Sequence, residues 1–208
     1  TVTVPVFQDG VAEGTEVLPF TLLNGEGYEV DPAASEVTVT IEDAPAADML
    51  TLESGVTSVF LDLPLLQEVA GLTLVSIDND TEPFSGDFQV GFAITEETDF
   101  SFTTDPFAPV GGTIEHSGTL TFGLSGAEAT LGEFSIGFDF RRVSETTSGF
   151  FVADTLDDPL GLEVLFDISI PETVSVLNAD FEISGADLLL SPELATALGI
   201  PELTGADV

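Results

Sequence analysis

The sequence predicts an all-β protein, made of antiparallel β-sandwich units with one short C-terminal helix. Apolar and polar residues alternate with a period of two along most of the 208-residue chain, as expected for strands that bury one face. Turns rich in Gly, Pro, Asp and Asn separate about eight to ten such segments, a spacing typical of antiparallel sandwiches. A hydrophobic share of 43% supplies a packed core and argues against disorder.

Three strands are predicted before residue 42. They are Thr1 to Phe7, Val17 to Leu23 and the segment VTVTI at 37–41. The following segment, EDAPAAD at 42–48, combines acidic residues with Pro and Ala and is the predicted linker. We therefore expect two domains, residues 1–44 and residues 50–208.

The alternation continues after the linker. Two of the predicted strands show a complete apolar face, formed by Phe88, Val90, Phe92 and Ile94 in one and by Phe134, Ile136, Phe138 and Phe140 in the other. The predicted strand segments are TSVFLDL (57–63), LTLVSI (72–77), DFQVGFAI (87–94), DFSFT, GTIEHSGTLTF, GEFSIGFDFRR, EVLFDISI and VSVLNADFEI.

A short helix is predicted near the C-terminus. In SPELATALG, Ser191 suits the N-cap, Pro192 the first helical position and Gly199 the C-terminal stop. A weaker helical signal, PLLQEVAG at 64–71, predicts about one turn between two strands.

The charge balance excludes whole classes of partner. The chain has 38 Asp and Glu against 2 Lys and Arg, a formal net charge of −36, and no Cys. The negative electrostatic field of such a charge repels phosphate backbones and anionic lipid surfaces, so we expect no nucleic-acid partner. No apolar run approaches the roughly 20 residues of a membrane span, so we expect no membrane insertion. Bound divalent cations or a salty environment would each offset the self-repulsion, and both explanations stay open.

An acidic turn precedes a strand in FQDGVAEGTEVLPFTL at 7–22, and the segment VTVTIED closes at residue 43. These features resemble the C-terminal half of a Calx-β domain, the calcium-binding sandwich of sodium–calcium exchangers and of many secreted bacterial proteins. The resemblance implies that Asp9 and Glu13 are turn ligands of a calcium ion and that Glu42 and Asp43 are the terminal ligand pair. A solvated acidic turn is the alternative interpretation.

The resemblance covers half of such a domain, since a complete sandwich needs roughly 90 to 100 residues. Half a sandwich leaves an unpaired strand edge and an uncovered apolar face. Either a segment outside this sequence covers them, or another copy of the chain does so by strand complementation, as in pilins. We therefore expect self-association or contact with neighbouring repeats.

The second domain offers one further candidate calcium loop. The segment IDNDTEPFSGD holds four carboxylates that can converge on one ion, namely Asp78, Asp80, Glu82 and Asp87. A solvated loop is the default interpretation. The phrases SGFFVADT, GTIEHSGTLTF and GADLLLSPELATALG resemble acidic modules found beside Calx-β repeats in secreted cyanobacterial proteins, a resemblance that implies context and no mechanism.

The few basic side chains are predicted to be structural. His116, the only histidine, shares strand parity with Leu120 and Phe122, which predicts a hydrogen-bonded core residue rather than a catalyst. One of the adjacent residues Arg141 and Arg142 should point inward and tie a strand to carboxylates. No G-x-S-x-G segment supports a nucleophile.

Together these observations predict a non-enzymatic extracellular protein with a structural or adhesive role. It would be a subunit or repeat of a cell-surface assembly or filament, stabilised by calcium. The alternative is a carbohydrate-binding or hydrolytic module of a secreted enzyme. That alternative requires a cleft with Tyr28 or a Phe on its rim and two carboxylates across it.

Overall fold

The computed structural model describes residues 15–31, 33, 35–41, 49–104, 106–124, 126–156, 162, 164–177 and 180–207. Within these residues the predicted all-β class is confirmed, because antiparallel strands dominate and a short helix lies near the C-terminus. The predicted strand at Thr1 to Phe7 and the predicted linker at 42–48 lie outside the described residues.

The described part of the chain holds 17 short strands, and turns divide several of the predicted runs. The first eight strands are β1 Glu16–Thr21, β2 Glu36–Ile41, β3 Met49–Thr51, β4 Val56–Val59, β5 Thr73–Asp78, β6 Val90–Ala93, β7 Ser101–Thr104 and β8 Phe107–Gly111. The others are β9 Ile114–Glu115, β10 Thr119–Leu124, β11 Ala127–Gly132, β12 Ser135–Val143, β13 Thr147–Ala153, β14 Phe166–Ser169, β15 Thr173–Leu177, β16 Asp180–Ser184 and β17 Leu188–Leu190.

The chain divides into two compact units. The first comprises Thr1–Met49 with Thr103–Ala108, and the second comprises Leu50–Phe102 with Pro109–Val208. The segment Thr103–Ala108 thus groups with the first unit, although the sequence places it in the domain 50–208. Strands β3, β7 and β8 each contain residues of both units.

In the first unit, β1 and β2 form a two-stranded antiparallel sheet. The register pairs Leu18 with Val39 and Phe20 with Val37. Directly opposed residues of an antiparallel pair project to the same face, so these four apolar side chains share one face of the hairpin. The other face carries Val17, Pro19, Thr21, Glu36, Thr38 and Thr40.

Two sheets of the second unit pack on one apolar core, which is the predicted sandwich. One sheet has the strand order β11-β10-β5, and the other has the order β17-β14-β13-β12-β9. Leu120 and Phe122 of β10 belong to the same buried cluster as Val152 of β13 and Leu190 of β17. Leu165, which is fully buried, joins this cluster from the segment before β14.

A group of phenylalanines extends this core to the β15–β16 hairpin. The rings of Phe102 and Phe181 stack with centroids 4.6 Å apart, and the ring of Phe100 lies 5.9 Å from that of Phe150. Phe138 meets Phe150 edge to face at 5.2 Å. Such ring pairs add to the stability that burial alone supplies.

Two α-helices in the described ranges begin and end where their capping residues dictate. The helix α2, Pro192–Ala197, has Ser191 as its N-cap, whose Oγ accepts from the Leu194 amide at 3.0 Å, as predicted.

The helix α1, Leu63–Ala70, is longer than the single turn predicted. Asp62 caps it by accepting from the Leu65 amide at 2.9 Å, and Gly71 ends it in the left-handed region. A 3-10 helix, Pro201–Leu203, follows α2.

Two further expectations are corrected by turns and bulges. The predicted strand VSVLNADFEI is the hairpin of β15 and β16 rather than one strand. Phe140 does not share the inward face of Phe138, since its side chain is 62% exposed. The register of β12 against β13 shifts between Phe138 and Val143, and such an irregularity reverses the alternation of side chains.

Truncating a core leucine should show where the stability of the second unit lies. We expect Leu165→Ala to lower the free energy of unfolding by about 2–5 kcal/mol, because it removes buried methyl groups and leaves a cavity. The control is Leu177→Ala, at an exposed position of β15. It should change the free energy of unfolding by less than about 0.5 kcal/mol. Urea unfolding followed by circular dichroism measures both, and equal losses would contradict this placement of the core.

Candidate functional site

The residues predicted as calcium ligands fall into two sets. The first set lies outside the described residues; it consists of Asp9, Glu13, Glu42 and Asp43. The second set lies at the end of β5 and in the loop that leads to β6; it consists of Asp78, Asp80, Glu82 and Asp87, all of them exposed. Over the described ranges, no three His, Asp or Glu side chains lie close enough together to hold a metal ion. The structure therefore does not bring the second set together.

Two of these carboxylates bind neighbouring serines instead. Asp78 Oδ2 accepts from the Ser76 hydroxyl at 2.9 Å, and Asp87 Oδ2 accepts from the Ser85 hydroxyl at 3.4 Å. These are local contacts between residues two positions apart, typical of polar turns. A solvated loop, the default interpretation of this segment, describes this geometry.

Arg142 is the one arginine that the described part of the second unit encloses. Its Nη1 donates to Asp167 Oδ1 of β14 at 2.7 Å, and its Nη2 donates to Glu193 Oε1 in the first turn of α2. The guanidinium also lies over the Phe151 ring, 5.6 Å from the centroid. This confirms the prediction that one of the two arginines points inward and ties a strand to carboxylates.

The neighbouring arginine shows the opposite environment. The side chain of Arg141 is 77% exposed, against 18% for Arg142, and Arg141 binds Asp139 on its own strand. Hydrogen bonds from Arg141 lower the pKa of Asp139. Burial works to lower the pKa of Arg142, but hydrogen bonds and the charges of Asp167 and Glu193 outweigh it, so that pKa is raised. Arg142 is therefore a structural cation that links β12 to β14 and α2 across β13.

His116 is buried and has a partner at each ring nitrogen, as the sequence predicts. Nδ1 lies 2.8 Å from the Phe134 carbonyl oxygen, and Nε2 lies 2.7 Å from the Thr57 hydroxyl. Since a carbonyl only accepts, Nδ1 carries the proton of the neutral ring and Nε2 accepts from Thr57. Burial lowers the pKa of His116 and outweighs the opposing effects of the Phe134 carbonyl and of Glu115. This arrangement joins strands and leaves no free nitrogen for catalysis.

A shallow depression lies at the turn between β1 and β2. Gly25, Gly27, Tyr28 and Glu29 line it, and the Tyr28 ring lies against Gly25, where a Cβ would stand 2.3 Å from it. Tyr28 is half-exposed, as a sugar-binding rim requires. Glu29 is the one carboxylate among the residues lining this depression, so the pair that glycoside hydrolysis needs is not formed there.

The strongest candidate site is the apolar face of the β1–β2 hairpin. We call its four central residues, Leu18, Phe20, Val37 and Val39, the hairpin face. Val37 is 60% exposed, and Leu18 and Val39 are also exposed. The pair Leu18 and Val39 is thus exposed, and beside it exposed Val37 stands opposite half-buried Phe20. Proteins rarely leave such a contiguous patch to water unless it meets a partner.

The β15–β16 hairpin provides an internal comparison. Its register also contains two cross-strand apolar pairs, Val174 with Ile183 and Val176 with Phe181. That face is partly buried, and Phe181 stacks on Phe102. An apolar face made of two cross-strand pairs is therefore partly buried in the β15–β16 hairpin and largely exposed in the β1–β2 hairpin.

No protein family, curated protein sequence or solved structure matches the chain. The resemblance to Calx-β domains consequently rests on the quoted motifs alone. Among the residues that the structure describes, no helix has both the length and the apolar character needed to cross a membrane.

Removing the Arg142 side-chain charge should destabilise the second unit. We expect Arg142→Gln to lower the free energy of unfolding by about 2–4 kcal/mol, because it leaves Asp167 buried without its cation while Glu193 keeps some access to water. Arg141→Gln changes the net charge equally and should leave the unfolding midpoint nearly unchanged. Urea unfolding of both variants tests this, and equal effects would show that only net charge matters.

The contribution of His116 to stability should depend on pH. Unfolded His116 binds a proton at its ordinary pKa of 6.5, whereas folded His116 binds one only at lower pH, so protonation favours the unfolded chain. Its stabilisation is complete above the unfolded pKa and is lost as the pH falls through the folded pKa. The difference in unfolding free energy between the wild type and His116→Gln should therefore shrink below pH 6.5. An imidazole pKa above 6.5 by NMR titration would contradict this.

Proposed function

We propose that this chain is a structural module of an extracellular, cell-surface assembly, in which copies or neighbouring repeats associate through the hairpin face. The observation that carries the proposal is the exposure of Leu18, Val37 and Val39 on one side of β1–β2. An isolated two-stranded hairpin is marginally stable in water and needs packing on one face. A partner that buries this face stabilises the hairpin and the association together.

The charge of the chain supports an apolar contact between copies. At a net charge of −36, most pairs of surfaces from two copies repel each other. The central part of the hairpin face bears no charged residue, and Glu16 stands only at its end, opposite Ile41. Two such faces can therefore approach at a lower electrostatic cost than two surfaces covered with carboxylates.

Calcium is part of the proposal because it would reduce the repulsion that remains. The resemblance to Calx-β domains supports calcium at Asp9, Glu13, Glu42 and Asp43. Divalent cations screen and bridge carboxylates more strongly than sodium does at equal ionic strength. Association through the hairpin face should consequently be stronger in calcium than in a chelator with matched ionic strength.

The alternative, a carbohydrate-binding or hydrolytic module of a secreted enzyme, has support only from the exposed Tyr28 ring beside Glu29. The hairpin face has no role in that alternative. The structural proposal accounts for the exposed face.

Two double variants of β2, one on each face of the strand, test the proposal. The double variant Val37→Thr and Val39→Thr keeps β-branched side chains and net charge but removes apolar surface from the hairpin face. We expect its self-association to be at least about tenfold weaker, which corresponds to a loss of about 1.4 kcal/mol of contact free energy. Sedimentation equilibrium over a range of chain concentrations, in calcium and in chelator, measures it.

The matched control is the double variant Thr38→Val and Thr40→Val, which adds apolar surface to the opposite face of the same strand. It should associate at least as strongly as the wild type. A wild-type chain that stays monomeric at all concentrations, or two double variants that behave alike, would refute the proposed contact.

A further inference from the structure

A second exposed apolar surface lies in the other unit, on the outer side of β4. Thr57 and Val59 point inward, since Thr57 binds the buried His116 and Val59 packs against the core. Alternation along the strand therefore directs Val56, Ser58 and Phe60 outward. Phe60 is 54% exposed, and Val56 is also exposed.

The loop between β5 and β6 crosses this outer side and is fixed there. The Thr81 amide donates to the Gly91 carbonyl at 2.8 Å, and Pro83 lies so close over Gly91 that an added Cβ would stand 3.0 Å from its Cα. The Phe84 amide then donates to Ser58 Oγ at 2.8 Å. The Phe84 backbone is thereby fixed beside Ser58, on the side of β4 to which Phe60 also points, and 89% of the surface of Phe84 is exposed.

We define the outer aromatic surface as Val56, Phe60 and Phe84, and the loop that carries Phe84 is rich in exposed carboxylates. Glu82 and Asp87 flank Phe84 in sequence, Asp80 precedes them in the same loop, and Asp78 ends β5; all four are exposed. The loop contains no Lys or Arg, because the only basic side chains of the chain besides His116 are Arg141 and Arg142. Aromatic faces and uncompensated carboxylates both attract cations.

The interior of the same unit shows this combination satisfied. One guanidinium, that of Arg142, lies over the Phe151 ring and binds the carboxylates Asp167 and Glu193. The outer aromatic surface presents the same kinds of group, two phenylalanine rings with flanking carboxylates, and the chain has no cation to place there. We propose that the outer aromatic surface docks a cationic segment of another protein, through Arg or Lys side chains over Phe60 and Phe84.

A second copy of this chain does not suit this surface. It would bring the same four carboxylates and no unengaged cation among the described residues, since Arg142 is enclosed and Arg141 binds Asp139. The proposed partner is therefore distinct from the self-association through the hairpin face, and either contact can exist without the other.

Fluorescence anisotropy with a labelled peptide of alternating Arg and Leu tests the proposal. We expect Phe84→Ala to weaken binding about three- to fivefold, as loss of an exposed cation–π contact does. Ser58→Ala, which removes the hydrogen bond that positions Phe84, should weaken binding to a smaller extent. The matched control Phe140→Ala removes another exposed ring, on β12, and should leave the affinity unchanged.

Three outcomes would overturn the proposal. Equal affinities for the wild type, Phe84→Ala and Phe140→Ala would show that the peptide responds only to the overall negative field. Binding of the matched Glu–Leu peptide as tightly as the Arg–Leu peptide would exclude a cationic partner. Binding of neutral oligosaccharides, lost in Phe84→Ala while the Arg–Leu peptide does not depend on Phe84, would assign the surface to glycans instead. The variants V37T and V39T should not affect any of these measurements, so the two proposals fail separately.

Discussion

Repulsion among 38 carboxylates, with only two arginines to oppose it, is the constraint that shapes this protein. Ion pairs cannot provide a surface network in such a chain, so apolar burial must outweigh both conformational entropy and repulsion. The cluster that joins Leu120 and Phe122 to the facing sheet meets this need. Arg142 reaches from β12 across β13 to β14 and α2, and there it compensates the carboxylates of Asp167 and Glu193.

The two hairpins show how one local pattern acquires different roles. In β15–β16 the paired apolar residues are completed by Phe102 and by the rings packed around it. In β1–β2 the equivalent pairs stand at the surface. Local sequence thus specifies the hairpin and its apolar face, whereas packing decides whether that face belongs to the core or serves as a contact.

Strand parity predicted much of this structure from the sequence. It correctly placed His116 inside, turned one of two adjacent arginines inward and located Val90 and Phe92 in the core. Capping chemistry placed α2 correctly, because Ser191 and the following Pro leave few alternatives.

Parity failed where the backbone leaves regular alternation. The register shift in β12 exposes Phe140, and no residue type in that strand indicates it. Phe84 follows Pro83 in a turn, so its exposure depends on hydrogen bonds to distant strands that spacing does not reveal. For the same reason, four closely spaced acids in this loop did not predict whether their side chains converge.

The positions of the two arginines also determine where trypsin-like proteases can cleave the chain. Enzymes of the trypsin type cut after Lys or Arg, and the whole sequence offers only the bonds after Arg141 and Arg142. Both lie towards the end of β12, beyond its pairing with β9 and within the stretch where its register against β13 shifts. Cleavage requires an extended, unpaired segment, so cutting here depends on local opening at the end of β12. A protein with this composition therefore offers basic-specific proteases few bonds while it stays folded, and a single nick reports that the end of β12 has separated from β13.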